Sequence, residues 1–390
     1  MTKTTLTVTL LSDLHIGTGT KLLHGIDWLT YRNGFTYIAD DTQLMNTILD
    51  RAQADGQNEF EVIEAITGMR LGDLIDAGWL VREDFEADSK LFLYRLKGEP
   101  TTNEIREQLK SVYGKPYLPG SSLKGAIRTI LATVAAKEMS PSLDNLGNRR
   151  TWAAQPVEAE LFGKGGSRIN ANQDLGRAIQ IGDSNEVDFD SLRMRRTHVY
   201  PTASNNRQGY SRGVDIDLET IIKGTQFTLS LNTPNGLLEN RHTPFDERRQ
   251  QELNHWPQRA KWLENLAKHG REYARNLLIQ EVTYFEPRRD VPAVHAFYDE
   301  MVTRFTKLKK NQFMLQLGWG GGWHTKTLNE YVKKDARRFE EIISQYRLDP
   351  TGDRKVGEIF PKSRHLLRRS DGKLAEAIGW CQIEIDDVSK

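Results

Sequence analysis

Apolar and polar side chains alternate near both ends of the chain and in its middle. Such alternation, combined with β-branched residues, is typical of strands with one buried face. The segments that show it are residues 6–11, 178–181, 227–231 and 383–385. The sequence therefore predicts four strands, the first near the start of the chain and the last near its end.

Two further short apolar runs, residues 28–31 and 35–38, are separated by Arg32, Asn33 and Gly34. Apolar runs joined by a short glycine-containing connection are typical of a β-hairpin. We expect a hairpin here, followed by a helix over residues 44–54.

The clearest helical pattern runs from about Ser122 to Glu138. Its apolar residues recur at intervals of three and four, which places them on one face of a helix. They are Leu123, Ala126, Ile127, Ile130, Leu131, Val134 and Ala135. Ser121 or Ser122 is the predicted N-cap, because a serine hydroxyl accepts hydrogen bonds from the free N–H groups of a first turn.

Residues 240–285 are rich in Arg, Glu and Gln and predict a helical insertion. Strands and helices thus mix along the chain without strict alternation. This mixture favours an α+β fold over a doubly wound parallel sheet.

Composition excludes several classes of protein. The chain has 390 residues, of which 38% are hydrophobic and 27% charged, as in ordinary globular proteins. Its apolar runs are shorter than the roughly 18–20 residues that a membrane helix needs. Cys381 is the only cysteine, which excludes an intrachain disulfide and a cysteine-based zinc site. We expect a cytoplasmic protein without a cofactor or membrane partner.

Positive charge is concentrated in four segments, although the net charge is only +1. Residues 108–137, 191–214, 301–329 and 361–370 contain 19 of the 54 Lys and Arg residues and no Asp or Glu. A polyanion that contacts part of the surface would favour such a distribution. Chance clustering of charges on solvated faces is the alternative.

Residues 117–128, with the sequence YLPGSSLKGAIR, form the first candidate binding segment. A Pro-Gly turn leads into a helix whose free N–H groups can bind an anion. Lys124 and Arg128 follow in the first two turns, where the helix dipole disfavours cations. A bound phosphate would explain that placement, and a plain capped helix is the alternative.

Residues 317–326, with the sequence LGWGGGWHTK, form the second. Closely spaced glycines allow a ligand to approach the backbone, and Trp319 and Trp323 could stack on bases. A simple turn remains the alternative.

Two basic runs, residues 360–369 and 193–198, offer arginine forks that suit phosphates. As a strand, the second run would place Arg193 and Arg195 on one face. Solvated faces are the alternative for both runs.

Near the start, His15 precedes Gly17 and Gly19, and His24 and Asp27 follow. Two histidines and a carboxylate could carry out metal-independent ribonuclease chemistry. A strand-end turn with a structural histidine is the more common arrangement.

Taken together, five segments resemble the RAMP (repeat-associated mysterious protein) superfamily of CRISPR effector subunits. Within it they are most similar to the type III-A subunit at the 3′ end of the guide in the Csm complex. The segments are residues 15–19 (HIGTG), 119–129 (PGSSLKGAIRT), 181–184 (IGDS), 317–327 (LGWGGGWHTKT) and 360–364 (FPKSR) with Gly379-Trp380.

The resemblance implies a modified RRM-like (ferredoxin-like) core with a protruding hairpin and a helical insertion. Residues 1–235 would form the core, with a thumb-like excursion at about 185–215. Residues 236–300 would form the mainly helical insertion, and residues 301–390 would complete the core with the glycine-rich loop.

For function, the resemblance implies a non-catalytic subunit that binds the 3′ region of the crRNA, caps that end, and supports crRNA maturation and antiviral defence. The expected partners are crRNA, target RNA as a second ligand, and a neighbouring RAMP backbone subunit, without an obligate homo-oligomer. The expected RNA-binding residues are His15, Gly17, Gly120, Ser121, Ser122, Lys124, Arg128, Arg193, Arg195, Gly320, Gly321, Gly322, Trp323, Lys326, Lys362 and Arg364.

Two alternatives remain open from the sequence. One is a metal-independent RAMP endoribonuclease that processes repeat RNA with His15 or His24 and Asp27. Sibling subunits cut target RNA with an aspartate after the first glycine loop, and Asp27 falls near that place. The other alternative is a RAMP subunit of a type III-B complex.

Overall fold

A computed structural model describes residues 2–31, 34–86, 91–200, 214–233, 256–326, 328–349, 352 and 354–386. The strands are β1 (Thr2–Leu10), β2 (Gly17–Leu23), β3 (Trp28–Tyr31), β4 (Phe35–Ala39), β5 (Phe92–Lys97), β6 (Glu104–Gln108), β7 (Gln180–Ile181), β8 (Leu192–Tyr200), β9 (Asp215–Ile221), β10 (Gln226–Thr233), β11 (Gln312–Gln316), β12 (Arg364–Arg368), β13 (Leu374–Ala377) and β14 (Trp380–Asp386). The helices are α1 (Asp41–Ala54), α2 (Glu59–Ile66), α3 (Leu71–Asp76), α4 (Gly120–Met139), α5 (Gln155–Phe162), α6 (Trp256–Glu264), α7 (Leu266–Phe285), α8 (Pro292–Thr306), α9 (Asn329–Val332) and α10 (Ala336–Gln345).

The strands form two sheets, and the fold is mixed α+β as expected. The first sheet has the order β11-β14-β1-β10-β7, with antiparallel pairs throughout. The second has the order β2-β6-β9-β8-β5-β4-β3, and β12 joins β8 at its side and pairs with β13. The N-terminal strand β1 and the C-terminal strand β14 are neighbours, so the two ends of the chain meet in the first sheet.

The strand and helix patterns explain how the core forms. Leu6 and Val8 on β1 are completely buried, as the alternation predicts. Leu123, Ile127 and Ile130 of α4 are also completely buried and belong to the same core cluster. The predicted strands near residues 6–11, 227–231 and 383–385, the hairpin β3–β4 and the helix α1 are confirmed.

Two details of the expected elements are wrong. The predicted strand at 178–181 retains only Gln180–Ile181, because Leu175–Ala178 forms a short 3-10 helix. Helix α4 begins at Gly120 with Pro119 as its N-cap, not at Ser121 or Ser122. The reason is that Asp183 supplies the missing acceptor: its Oδ1 lies 2.8 Å from the backbone N of Gly120.

The predicted helical insertion is helical from residue 256 onward. Helix α6 begins there, and α7 follows it. Residues 240–255 of that segment, residues 201–213 of the predicted excursion and Thr327 of the glycine-rich motif lie outside the described residues. The three-part division of the chain stays a prediction.

Candidate nucleic-acid interface

Three glycine-containing segments that are distant in sequence meet at one groove, which we call the glycine groove. They are the turn between β1 and β2, the start of α4 and the loop after β11. The groove has a volume of about 680 Å³. Its lining residues are His15, Ile16, Gly17, Gly19, Thr20, Lys21, Arg106, Glu107, Ser121, Ser122, Gly125, Ala126, Thr129, Gln316, Leu317, Gly318, Trp319, Thr325 and Lys326.

Backbone contacts between the first and last of these segments set the shape of the groove. The N–H of Trp319 donates to the carbonyl oxygen of His15 at 2.8 Å. Gly318 has φ +72°, and a Cβ there would lie 2.3 Å from the same carbonyl oxygen. Only glycine fits at this position, both for its positive φ and for the close approach.

The His15 side chain makes a hydrogen bond to the second sheet. Its Nδ1 lies 2.7 Å from the carbonyl oxygen of Glu219 on β9. Because a carbonyl only accepts, Nδ1 carries the proton and Nε2 carries the lone pair. Burial, with the nearby cations Arg106 and Lys110, lowers the pKa of His15 to about 4, so the ring is neutral at pH 7.

A buried carboxylate beneath the groove fixes this arrangement. The Glu219 side chain is fully buried and accepts hydrogen bonds from Tyr94 Oη at 2.7 Å and from the backbone N of Gln108 at 2.8 Å. Lys110 Nζ lies 2.6 Å from its Oε2. A buried charge needs such complete pairing. These contacts fix the position of Glu219, whose backbone carbonyl binds His15.

The charged side chains that line the groove are three cations and one carboxylate: Lys21, Arg106, Lys326 and Glu107. Lys326 is exposed, whereas Lys21 forms a 2.6 Å ion pair with Glu104. The guanidinium of Arg106 lies over the Trp319 ring, 5.0 Å from its centroid. The groove thus presents an excess of positive charge beside closely approachable backbone, which suits a phosphodiester strand.

Five of the sixteen residues expected to bind RNA line this groove: His15, Gly17, Ser121, Ser122 and Lys326. Gly120 does not line it, because Gly120 packs against the end of β7. A Cβ on Gly120 would lie 2.3 Å from the carbonyl oxygen of Ile181, so this glycine is required for packing. Lys124 lies partly exposed on α4, outside the groove.

Arg128, Trp323 and Lys362 line a neighbouring cavity of about 930 Å³, together with Gly322. Arg128 is paired with Asp174 at 2.7 Å and Glu158 at 3.2 Å. The expected phosphate contact of Arg128 would therefore have to compete with two carboxylates.

Trp323 is also engaged within the protein. Its Nε1 donates to Asn329 Oδ1 at 2.8 Å, and its ring packs edge-on against Phe360. Lys362 lies 3.8 Å from Glu358. Stacking of Trp323 on a base stays a prediction that this packing does not favour.

Arg364 belongs to a buried network and not to the groove. Its Nε lies 2.8 Å from Glu281 Oε2, and its Nη2 lies 3.0 Å from His324 Nε2. Burial, with the cations Arg364 and Lys333, lowers the pKa of His324 to about 2. Arg364 thus anchors the glycine-rich loop to α7 through Glu281.

The remaining predicted residues have packing or sheet contacts. Gly320 has φ +96°, and a Cβ there would lie 2.2 Å from Ile378 Cγ2. A Cβ on Gly321 would lie 2.4 Å from Thr325 Oγ1. Arg195 pairs with Asp13 at 3.2 Å. RNA contact by these residues and by Arg193 stays a prediction.

The residues considered for catalysis are not assembled into one site. Asp27 Oδ2 accepts from the backbone N of Leu23 at 2.7 Å, and His24 packs edge-on against Trp28. Neither residue lines the glycine groove with His15. Among the described residues, no group of three or more His, Cys, Asp or Glu could hold a metal ion.

The groove residues that the expected set leaves out include Lys21, Arg106, Gly318 and Trp319. Lys21 lies on β2, and Arg106 lies between Glu104 and Glu107 on β6, so a search for segments free of acids passes over both. The alternation of β6, with Ile105 buried, was the signal that could have placed Arg106 on an exposed face.

Within the part of the chain that the structure describes, no helix is both long and apolar enough to cross a membrane.

Comparison with known proteins gives consistent matches. A family model described as the RAMP superfamily matches residues 7–324. A CRISPR system Cms protein Csm5 of Streptococcus thermophilus is 26% identical over 208 residues, which cover 50% of this chain and 55% of that protein. A protein of the same name from Mycobacterium tuberculosis (strain H37Rv) is 22% identical over 297 residues, covering 73% and 68%. The chain thus spans about half the length of the first of these relatives.

Solved structures show a similar fold. A chain in the cryo-EM structure of a Csm–crRNA–target RNA ternary complex of a type III-A CRISPR-Cas system aligns with a TM-score of 0.68 at 20% identity, covering 98% of this chain and all of that one. The crystal structure of T. onnurineus Csm5 aligns with a TM-score of 0.62 at 21% identity, covering 96% and 99%.

Proposed function

Because this chain belongs to the RAMP superfamily, we propose that it is a non-catalytic, guide-RNA-binding subunit of a type III-A CRISPR (Csm) effector complex. Its ligand is the 3′ region of the crRNA, which it caps. Its partner is the neighbouring RAMP backbone subunit, and its role supports crRNA maturation and antiviral defence in the cytoplasm. Relatives named Csm5 and a similar fold within a Csm–crRNA–target RNA complex support this proposal.

The glycine groove is the observation that carries the RNA-binding part of the proposal. It joins three of the segments on which the family resemblance rests, and its lining carries three cations against one carboxylate, with Lys21 paired to Glu104. Phosphate contacts supply most of the sequence-independent affinity for nucleic acid. Such binding suits a subunit that holds guides of many sequences.

Glycine matters in this groove because it brings backbone to the ligand. Gly17 lies beside the His15 ring and Gly318 beside the His15 carbonyl oxygen, and both line the groove. A sugar-phosphate strand can lie against such a surface more closely than against a wall of side chains. Lys326 then pairs with a phosphate from the exposed rim.

We also infer that the first sheet is a modified RRM-like (ferredoxin-like) core. Strand β10 lies between β1 and β7 and is antiparallel to both, while β14 lies on the other side of β1. Helix α4 precedes β7 in sequence, and α7 precedes β14. This order, with two crossover helices, is that of a ferredoxin-like unit, to which the second sheet and the helices α6 and α8 are additions.

The test is to assemble the Csm complex with and without this chain and to sequence the guides that co-purify. Omission of the chain should give guides with altered or ragged 3′ ends. A complex assembled with Lys326→Glu should retain less guide, whereas Lys268→Glu, at an exposed lysine of α7 outside the groove, should behave as wild type. Guides with unchanged ends and yield in all these preparations would refute the proposal.

A further inference from the structure

One group in the glycine groove has a hydrogen-bonding character that differs from the cations around it. Lys21, Arg106 and Lys326 can only donate hydrogen bonds. His15 lies among them with Nδ1 committed to the Glu219 carbonyl oxygen at 2.7 Å. Its other nitrogen, Nε2, is therefore a hydrogen-bond acceptor in a groove that we assign to a polyanion.

We propose that Nε2 of His15 accepts a hydrogen bond from a ribose 2′-hydroxyl, so that the groove distinguishes RNA from DNA. This inference rests on the proposed function, namely that the groove binds a single nucleic-acid strand. It adds the sugar chemistry that the groove selects and the residue that selects it.

The protonation state of His15 is set by its surroundings. The Glu219 carbonyl accepts from Nδ1–H in every state of the ring, because a carbonyl oxygen has no proton to give. A second proton on Nε2 is disfavoured because the ring is 1% exposed and Arg106 and Lys110 are close enough to repel it. The lone pair on Nε2 is therefore present across the physiological pH range.

The chemistry of nucleic acid limits what can meet this lone pair. Phosphate oxygens are acceptors and would repel Nε2, so they are expected at Lys326 and Arg106 instead. The internal nucleotides of a strand donate through the 2′-hydroxyl and the N–H groups of the bases. Of these donors, only the 2′-hydroxyl is present in every ribonucleotide and absent from DNA. It therefore suits a groove that must hold guides of any sequence.

Gly17 places no side chain over this acceptor. A Cβ at Gly17 would lie 3.0 Å from His15 Nε2, and its next contacts are also atoms of the His15 ring. Any side chain at position 17 would thus cover the nitrogen. The structure gives no positive φ for Gly17, so the need for glycine here is one of space and not of backbone conformation.

The experiment compares three oligonucleotides of one sequence, made of RNA, 2′-fluoro RNA and DNA, by fluorescence anisotropy with the full chain. A 2′-fluoro sugar keeps the RNA-like pucker but cannot donate a hydrogen bond. One net hydrogen bond corresponds to about a 2- to 10-fold change in Kd. Wild-type protein should therefore bind RNA about 2- to 10-fold more tightly than 2′-fluoro RNA.

In His15→Phe, which keeps an aromatic ring without an acceptor, RNA and 2′-fluoro RNA should bind equally. Gly17→Ala provides a second variant that leaves His15 intact, and it should also reduce the preference. Lys326→Glu should weaken all three oligonucleotides by a similar factor and keep the preference of the wild type. Thermal melting of each variant shows whether its fold is retained.

An equal affinity of the wild type for RNA and 2′-fluoro RNA would overturn the inference, as would an undiminished preference in folded His15→Phe and Gly17→Ala. Either result, with Lys326→Glu still weakening all three ligands, leaves the proposed RNA-binding groove intact. If no oligonucleotide binds, or if Lys326→Glu has no effect, the groove itself is wrong and the inference falls with it.

Discussion

His15 and Trp319, which are far apart in the sequence, are in contact through both backbone and side chain. The Trp319 N–H donates to the His15 carbonyl oxygen at 2.8 Å, and the two rings meet edge to face with centroids 6.1 Å apart. His15 follows β1 and Trp319 follows β11, so this contact joins the ends of two strands that are separated by β14 in the first sheet.

The conformation of the glycine-rich loop gives a prediction that compares two neighbouring positions. Gly320 and Gly322 both have positive φ, of +96° and +65°, but only a Cβ on Gly320 would meet another residue, Ile378, at 2.2 Å. Both alanine variants carry a penalty of roughly 1–3 kcal/mol for placing a Cβ on backbone with positive φ. Gly320→Ala adds an overpacking cost of about 1–3 kcal/mol.

We therefore expect Gly320→Ala to lower the free energy of unfolding by more than Gly322→Ala, measured by urea denaturation. Equal losses in the two variants would show that Ile378 moves aside and that the close contact does not constrain the loop.

The buried pair of Arg364 and Glu281 gives a second prediction. Removal of one partner of a buried ion pair leaves an uncompensated charge and typically costs about 3–5 kcal/mol. Arg364→Ala should thus destabilise the protein by about that amount in chemical denaturation. Lys362→Ala is the matched control, because its 3.8 Å pair with Glu358 is partly exposed and should contribute less than about 1 kcal/mol.

A loss below about 1 kcal/mol in Arg364→Ala would contradict the assignment of Arg364 to the interior. It would favour the RNA contact that stays predicted for this residue from the basic run at residues 360–369.

The local patterns of the sequence predicted much of the fold. Alternation predicted β1, β10 and β14, and the three-four spacing predicted α4, since these patterns depend only on which face of each element is buried. The N-cap of α4 could not be predicted in this way. Its acceptor is Asp183, which only the tertiary fold brings to Gly120.

The resemblance to the RAMP superfamily is confirmed by the family match over residues 7–324. Its glycine motifs predicted the groove better than the charge pattern did. Of the cations in the four acid-free segments, Lys110 and Arg128 pair with carboxylates from other segments, at 2.6 and 2.7 Å. In the folded protein, carboxylates from other segments therefore largely neutralise the positive charges of these two residues.

Stability should depend on pH through the buried histidines. Burial is the main cause that lowers the pKa values of His15 and His365 to about 4 and that of His324 to about 2, from 6.5 in an unfolded chain. As the pH falls below 6.5, the unfolded state takes up protons that the folded state does not. The contribution of these neutral rings to the free energy of unfolding is thus fully present above pH 6.5 and is lost as the pH falls toward 4.

Each such histidine contributes up to about 1.4 kcal/mol per pH unit in this window. Urea denaturation at pH 7.5 and pH 5 should show the loss, and His324→Asn should make it smaller. Equal free energies of unfolding at the two pH values would mean that folding does not lower the pKa values of these rings.

The pure chain should not cleave RNA. A general base works best when its pKa lies near the operating pH, and His15 has a pKa of about 4. Asp27 holds the backbone of Leu23, outside the glycine groove. We expect labelled repeat RNA to stay intact with wild-type protein in EDTA, on a denaturing gel. Specific cleavage that is lost in Asp27→Ala or His15→Ala would instead establish the ribonuclease alternative.

The most direct test of the account is to map where the guide lies on this chain. A crRNA that carries a photoreactive nucleotide near its 3′ end would be assembled into the Csm complex, crosslinked, and analysed by mass spectrometry of the attached peptides. If the guide lies in the glycine groove, crosslinks form to its three segments, at residues 15–21, 121–129 and 316–326. Crosslinks confined to other surfaces, such as the helices α1 to α3, would contradict it.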